Sequence, residues 1–188
     1  MHDEASIGMT LPVLAKLRDG REVVLREIGA HDKAELQDAF QRLSADSRYT
    51  RFMMSMRELS PAMLDAATHP VPGRDFALVA VSGEGAAEDI VAGARYVGAP
   101  GSDTCEFAVT VADDWHGLGL AGRLLGILIA HARAQGLRCM EGYVLAQNTS
   151  MRRLAQRLGF ADRPCPDDAT TRLVRLALAG GGCDGHEA

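Results

Sequence analysis

Residues 115–125, WHGLGLAGRLL, set three glycines where a strand pattern gives way to a long amphipathic helix, and this junction constrains the fold more than any other feature of the chain. Upstream, TCEFAVTV at 104–111 alternates as a strand does, with Glu106, Ala108 and Thr110 on one face and Cys105, Phe107, Val109 and Val111 on the other. Downstream, Leu118, Ala121, Leu125, Leu128 and Ala132 recur at helical intervals as far as Gln135-Gly136, a C-cap signal, which predicts a helix over 118–135. A second strand pattern follows at 138–145. Two strands joined through a helix run parallel in one sheet. The helix therefore begins at their carboxyl ends, where such sheets place their ligands.

The remaining pattern frames this crossover. REVVLREI at 21–28 reads as the first strand. From Asp32 the period turns helical through Leu36, Ala39, Phe40 and Leu43, with Asp32 and Glu35 spaced as a capping box. Ser60-Pro61 opens a second helix carrying Met63, Leu64 and Ala67. Strands at 76–81, 89–97 and 104–111 are joined by loops too short for crossover helices and predict an antiparallel meander. A helix over 148–158 closed by Gly159, and a last strand at 171–178, complete an α+β (α/β) domain: a mixed, mostly antiparallel central sheet with helices on both faces. Residues 1–16 are expected to be an N-terminal extension, 17–178 the domain, and the tail AGGGCDGHEA at 179–188 disordered.

Composition removes several classes. A formal charge of -5 and a pI near 5.7 argue against nucleic acid as a partner. The richest apolar stretch, LLGILIAHA at 124–132, is too short to span a bilayer, and MHDEASIG has no basic n-region, so a cytoplasmic protein without a membrane partner is expected. Cys105, Cys139, Cys165 and Cys183 form no CxxC pair, and His31, His69 and His131 have no partner at metal spacing. Reduced, unrelated thiols, structural histidines and no metal are expected. Lys16 and Lys33 are the only lysines, and neither suits a Schiff base or a phosphate loop.

Glycine lets backbone approach a ligand closely, and the first N–H groups of a helix are unpaired donors at its positive end, so the 115–125 loop suits a pyrophosphate. A tight turn against a packed helix would use the same glycines. Gly117, Gly119 and Gly122 also spell G-x-G-x-x-G, with Glu141 standing 19 residues after the last glycine, as in a dinucleotide fold. That alternative fails on context. Asp113, Asp114, Trp115 and His116 separate the motif from its strand, and the 66 residues after Gly122 cannot supply the further βαβ units. Asn148 is placed to cap the last helix, Arg123 lies beside the loop, and Met53, Met54, Met56 and Met63 gather around the early helices, where core packing is their ordinary use.

His116, Gly119 and Ala121 occupy the places of a signature that runs Gln or Arg, two residues, Gly, one residue, Gly or Ala. The loop thus resembles the acetyl-CoA site of the GCN5-related N-acetyltransferase (GNAT) superfamily, with His116 departing from the first position. The element order is also that superfamily's, over about residues 18–178. LRDGREVVLREI at 17–28, RLSADSRYTRF at 42–52, RELSPAML at 57–64 and CEFAVTVADDWHGLGLAGRLL at 105–125 resemble bacterial Pat-type protein lysine acetyltransferases.

The resemblance implies an acetyl-CoA-dependent enzyme without a metal. It implies a pyrophosphate on His116, Gly117, Leu118, Gly119, Leu120, Ala121, Gly122 and Arg123, pantetheine along Val109, Thr110 and Val111, and a contact from Asn148. From Glu106 to Ala112 is roughly 20 Å at about 3.3 Å per residue, the reach of an extended pantetheine arm, so the thioester ends near Glu106. Taken from alternation alone, Glu106 is a solvated strand carboxylate; the resemblance makes it the general base for a protein lysine, with a small amine as the alternative acceptor. Residues 1–94 carry 15 acids and 10 bases, an excess that would attract a lysine. Ala155 stands where many relatives carry a tyrosine acid, which keeps a non-catalytic acyl-CoA-binding module as the alternative.

Overall fold

The computed structural model describes residues 10–83, 85, 88–180 and 183. One eight-stranded sheet runs β1-β2-β3-β4-β5-β6-β8-β7. The strands are β1 Val13–Lys16, β2 Glu22–Glu27, β3 Asp75–Ser82, β4 Asp89–Gly98, β5 Thr104–Val111, β6 Cys139–Leu145, β7 Ala161–Cys165 and β8 Asp168–Ala177. Helices α1 (Lys33–Arg42), α2 (Ala45–Phe52) and α3 (Pro61–Thr68) lie between β2 and β3, α4 (Leu120–Ala134) joins β5 to β6, and α5 (Thr149–Arg157) follows β6. Every neighbouring pair is antiparallel except β5 and β6, the pair that α4 connects. No helix among the described residues is long and apolar enough to cross a membrane.

Strand alternation divides the two faces. Tyr96 opposite Phe107, Ala94 opposite Val109 and Ala92 opposite Val111 point to one side, where they pack with Leu124, Leu125 and Leu128 of α4. The α4 apolar stripe is therefore wholly spent on the core. His131 belongs to this layer: its ring stacks on Phe76 at 3.7 Å and its Nδ1 meets the Tyr96 hydroxyl at 2.8 Å. Val97 opposite Glu106, Arg95 opposite Ala108 and Gly93 opposite Thr110 face the other way, under α1–α3. A smaller core of Phe40, Leu43 and Leu59 holds those helices together, with Met56 and Met63 packed against it.

Several expectations need correction. The sheet begins inside the supposed N-terminal extension, because Val13–Lys16 pairs with Glu22–Leu25 around the Asp19-Gly20 turn. Helix α2 and strand β7 carry too little apolar period to be read from sequence. The Asp32–Glu35 capping box does not form: Arg26 holds the Asp32 carboxylate through two 2.8 Å bonds, while Glu35 accepts from the Ile90 N–H at 3.0 Å. The reduced-thiol reading fails for one pair, since Cys139 and Cys183 are disulfide-bonded; Cys105 and Cys165 are free. Cys183 lies in the tail expected to be disordered, and residues 181–182 and 184–188 lie outside the described residues.

Candidate active site

After β5, a short 3-10 turn over Asp113–Trp115 leads into an extended His116, whose Nε2 lies 2.9 Å from the Val111 carbonyl oxygen. Gly117 and Gly119 then adopt φ of 76° and 86°, a region that a side chain at Cβ disfavours. Gly119 is the residue before α4, and the first helical bond joins the Arg123 N–H to its carbonyl. The N–H groups of Leu120, Ala121 and Gly122 consequently have no acceptor within the helix and point out of its positive end. Gly122 serves packing, since a Cβ there would sit 3.3 Å from Leu154 of α5.

Two arginines that sequence reading passed over hold this loop. Arg18 donates to the Gly117 carbonyl at 3.3 Å and lies 3.5 Å from where a Gly119 Cβ would stand. Arg21 stacks on Trp115 at 3.9 Å and donates to the Asp114 carbonyl at 2.9 Å. Only the pairing of β1 with β2 brings them to the loop, so no local sequence signal marks them. Arg123 turns towards the Lys16 carbonyl at 2.8 Å, tying α4 to β1.

The parallel strands part as they leave the loop's opposite end. Pairing of β5 with β6 is confined to Thr104–Cys139, Cys105–Met140 and Glu106–Glu141, so Val109, Thr110 and Val111 bond to β4 alone. Phe107 packs into the divergence against Gly142, where a Cβ would come within 2.5 Å of its ring. Asn148 caps α5, its Oδ1 accepting from the Met151 N–H at 3.1 Å. Unspent amides at one end, an open strand edge between, and Glu106 at the other end make a track for a long ligand with an anionic head.

Glu106 is exposed to solvent, yet its surroundings strip part of its hydration. That loss raises its pKa, the neighbouring Glu141 raises it further, and the Arg51 charge opposes both. Glu141 is itself paired with Arg175 at 2.7 Å. Cys105 on the opposite face is buried, and burial pushes its thiol up to about 12, which removes it as a nucleophile.

Beside Glu106, between the sheet and α1–α3, lies a cavity of about 380 Å³ walled largely by apolar groups, among them Phe40, Phe52, Met63 and Val79. Ala108 and Thr110, the next residues on the Glu106 face of β5, line it. So do Arg51 and Arg95, a pair that sequence reading also missed. The available signal was Arg95, the one cation in the otherwise apolar run IVAGARYV. Burial pushes the Arg51 guanidinium down to about 10, with the charge of Arg95 adding and that of Glu106 opposing. Burial lowers Arg95 as well, against the pull of Asp75. The Arg95 Nε is buried without a hydrogen-bond partner. Neither arginine has a carboxylate within salt-bridge distance among the described residues.

Cavity and loop are linked through Asp113. Its carboxylate accepts from the Ser44 N–H at 2.9 Å, the Ser44 hydroxyl at 3.0 Å and the Ser47 hydroxyl at 2.6 Å, pinning the start of α2 to the turn before the loop. Among the described residues no group of three or more His, Cys, Asp or Glu side chains gathers at metal-binding distance.

Unspent helix amides, an open strand edge and a carboxylate near a cavity suit the transfer of a group from a long anionic ligand. Residues 37–160 match the model of the acetyltransferase (GNAT) family. The chain is 38% identical over 162 residues to an acetyltransferase of Pseudomonas aeruginosa, covering 86% of this chain and 87% of that one. It is 32% identical over 149 residues to Acetyltransferase Pat of Mycolicibacterium smegmatis, covering 79% of this chain but only 44% of that longer protein. The GNAT domain of S. lividans PAT superposes with a TM-score of 0.78 at 26% identity, over 88% of this chain and 96% of that one. This chain belongs to the GNAT family and is an acetyltransferase, with acetyl-CoA as co-substrate.

Proposed function

We propose that the protein transfers an acetyl group from acetyl-CoA directly to a primary amine, with Glu106 as general base. The observation that carries this is the position of Glu106 at the last paired residue before β5 and β6 diverge, at the end of the track that begins on the free amides of α4. Leu118, Leu120, Ala121 and Gly122 form the backbone cradle with Gly117 and Gly119, and Val109, Thr110 and Val111 offer the open edge along which pantetheine is laid. Asn148 and His116 flank that path.

An ammonium cannot attack a carbonyl, so Glu106 takes its proton directly or through water. The neutral nitrogen then bonds to the thioester carbonyl carbon as the carbon–sulfur bond breaks, and coenzyme A leaves as a thiolate that solvent protonates. The raised pKa of Glu106 makes it a stronger base than an ordinary surface carboxylate.

The Pat-like segments and the likeness to Acetyltransferase Pat support a protein lysine as acceptor. The cavity of about 380 Å³, of a size for a small molecule, supports a small amine instead, and we take the small amine as the first reading. The test is thiol release from acetyl-CoA by wild type and Glu106→Gln over a panel of small amines and lysine peptides. Turnover by wild type that the substitution removes supports the reading; equal turnover by both overturns the base role.

A further inference from the structure

Arg51 and Arg95 are two cations that line a largely apolar cavity, with no carboxylate at salt-bridge distance among the described residues. Buried charges are ordinarily paired. Other arginines near this face are: Arg42 meets Glu35 at 2.6 Å and Arg175 meets Glu141 at 2.7 Å. Arg95 faces Ala108 across β4 and β5, which puts it diagonal to Glu106, a neighbour at about 7 to 8 Å within reach of a long side chain. The arginines therefore stand between the cavity's apolar interior and the carboxylate that receives the amine's proton.

Resting on the acetyltransferase reading, we propose that the acceptor is an α-amino acid with an apolar side chain. Its carboxylate pairs with Arg51 and Arg95, its side chain enters the cavity, and its amine faces Glu106. Each part answers an observation. Guanidinium groups present forked N–H donors that match a carboxylate, and the unbonded Arg95 Nε supplies one of them. A cavity of about 380 Å³ sits at the small end of the range for ligand sites, about 300 to 1,000 Å³, and its walls offer little polar contact to a polar side chain. Close spacing of amine and carboxylate suits the short diagonal between Arg95 and Glu106. A lysine ammonium entering alone would meet two cations and leave both of them unpaired, whereas an amino acid brings its own counter-charge.

The experiment compares acids with their decarboxylated partners: L-leucine against 3-methylbutylamine, L-methionine against 3-(methylthio)propylamine, and L-phenylalanine against phenethylamine. A lysine peptide is the third arm. Rates are followed by thiol release, and binding to the enzyme with coenzyme A is followed by calorimetry. At least one acid is expected to exceed its amine about 100-fold in kcat/KM, through KM, the scale of a charge-assisted pair in a buried site. Arg51→Gln and Arg95→Gln should each collapse that ratio towards one, while far-ultraviolet circular dichroism and acetyl-CoA affinity confirm the fold.

Amines that equal or exceed the acids would overturn the proposal, as would a lysine peptide that reacts while no acid does. Acids that neither react nor bind would overturn it too. If the acids react but Glu106→Gln keeps its rate, the general-base reading falls and the carboxylate site stands.

Discussion

Glu106 and Glu141 are register partners across the parallel pair of the sheet, two carboxylates side by side on the face that carries the cavity under α1–α3. Neighbouring strands are about 4.8 Å apart, so the charge on one is felt by the other. Arg175 pairs with Glu141 at 2.7 Å, and the pKa of Glu106 rises through lost hydration first and the charge of Glu141 second. A structural ion pair on β6 and β8 thereby tunes a carboxylate on β5.

As the proposed base, Glu106 works only when deprotonated. With its pKa raised, activity should be present at neutral and higher pH and should fall as pH drops through a value above the ordinary carboxylate range. Glu141→Gln removes one of the two raising causes and leaves Arg175 unpaired nearby, which acts in the same direction. The acidic limb of the kcat/KM profile should move to lower pH, while acetyl-CoA binding by calorimetry stays at the wild-type value.

Removing the carboxylate gives a sharper result. Glu106→Gln keeps the shape of the side chain on an exposed site, so folding and acetyl-CoA affinity should be retained while turnover drops about 100-fold or more. The same variant should lose the acidic limb of the pH profile.

The loop rests on backbone geometry that glycine alone adopts easily. At φ of 86°, with Arg18 3.5 Å from its would-be Cβ, Gly119→Val introduces strain and pushes against the arginine. Coenzyme A affinity should fall at least tenfold, measured by calorimetry on protein whose thermal transition remains cooperative. Gly126, in mid-helix with open space around it, is the control: Gly126→Ala should leave affinity unchanged and add a few tenths to about 1 kcal/mol of stability.

Gly142 is a different case, with ordinary backbone but no room. A methyl group would come within 2.5 Å of the Phe107 ring, which is itself wedged against Phe160 at 5.2 Å between centroids. Gly142→Ala should cost about 1 to 3 kcal/mol through overpacking, seen as a lower urea midpoint at unchanged slope.

Asp113 accepts from Ser44 and Ser47 at the surface, so each bond contributes modestly. Asp113→Ala should cost about 1 kcal/mol. In a double-mutant cycle with Ser44→Ala the two losses should be clearly non-additive, since the residues share a bond. Stability by urea denaturation is the measurement.

The sequence by itself determined the parts whose signals are local. Leu118 to Ala132 repeat with the helix period, TCEFAVTV alternates with the strand period, and Ser60-Pro61 marks a helix start by its own backbone preference. These set the mixed sheet, the crossover helix and the glycine loop at its carboxyl end, and alternation already separated Glu106 from Cys105. What tertiary structure decided depends on residues far apart in the chain. Val13–Lys16 is a strand because β2 pairs with it, and Ala161–Cys165 because β8 does. Arg18 reaches Gly117 across 99 positions, Glu141 meets Glu106 only through the parallel register, and Cys139 finds Cys183 at the end of the chain. Arg51 and Arg95 come from a helix and a strand whose sequences give neither a reason to meet. An isolated arginine reads as a solvated surface charge, and only the packing of α1–α3 on the sheet shows that these two line one cavity with no carboxylate at salt-bridge distance among the described residues.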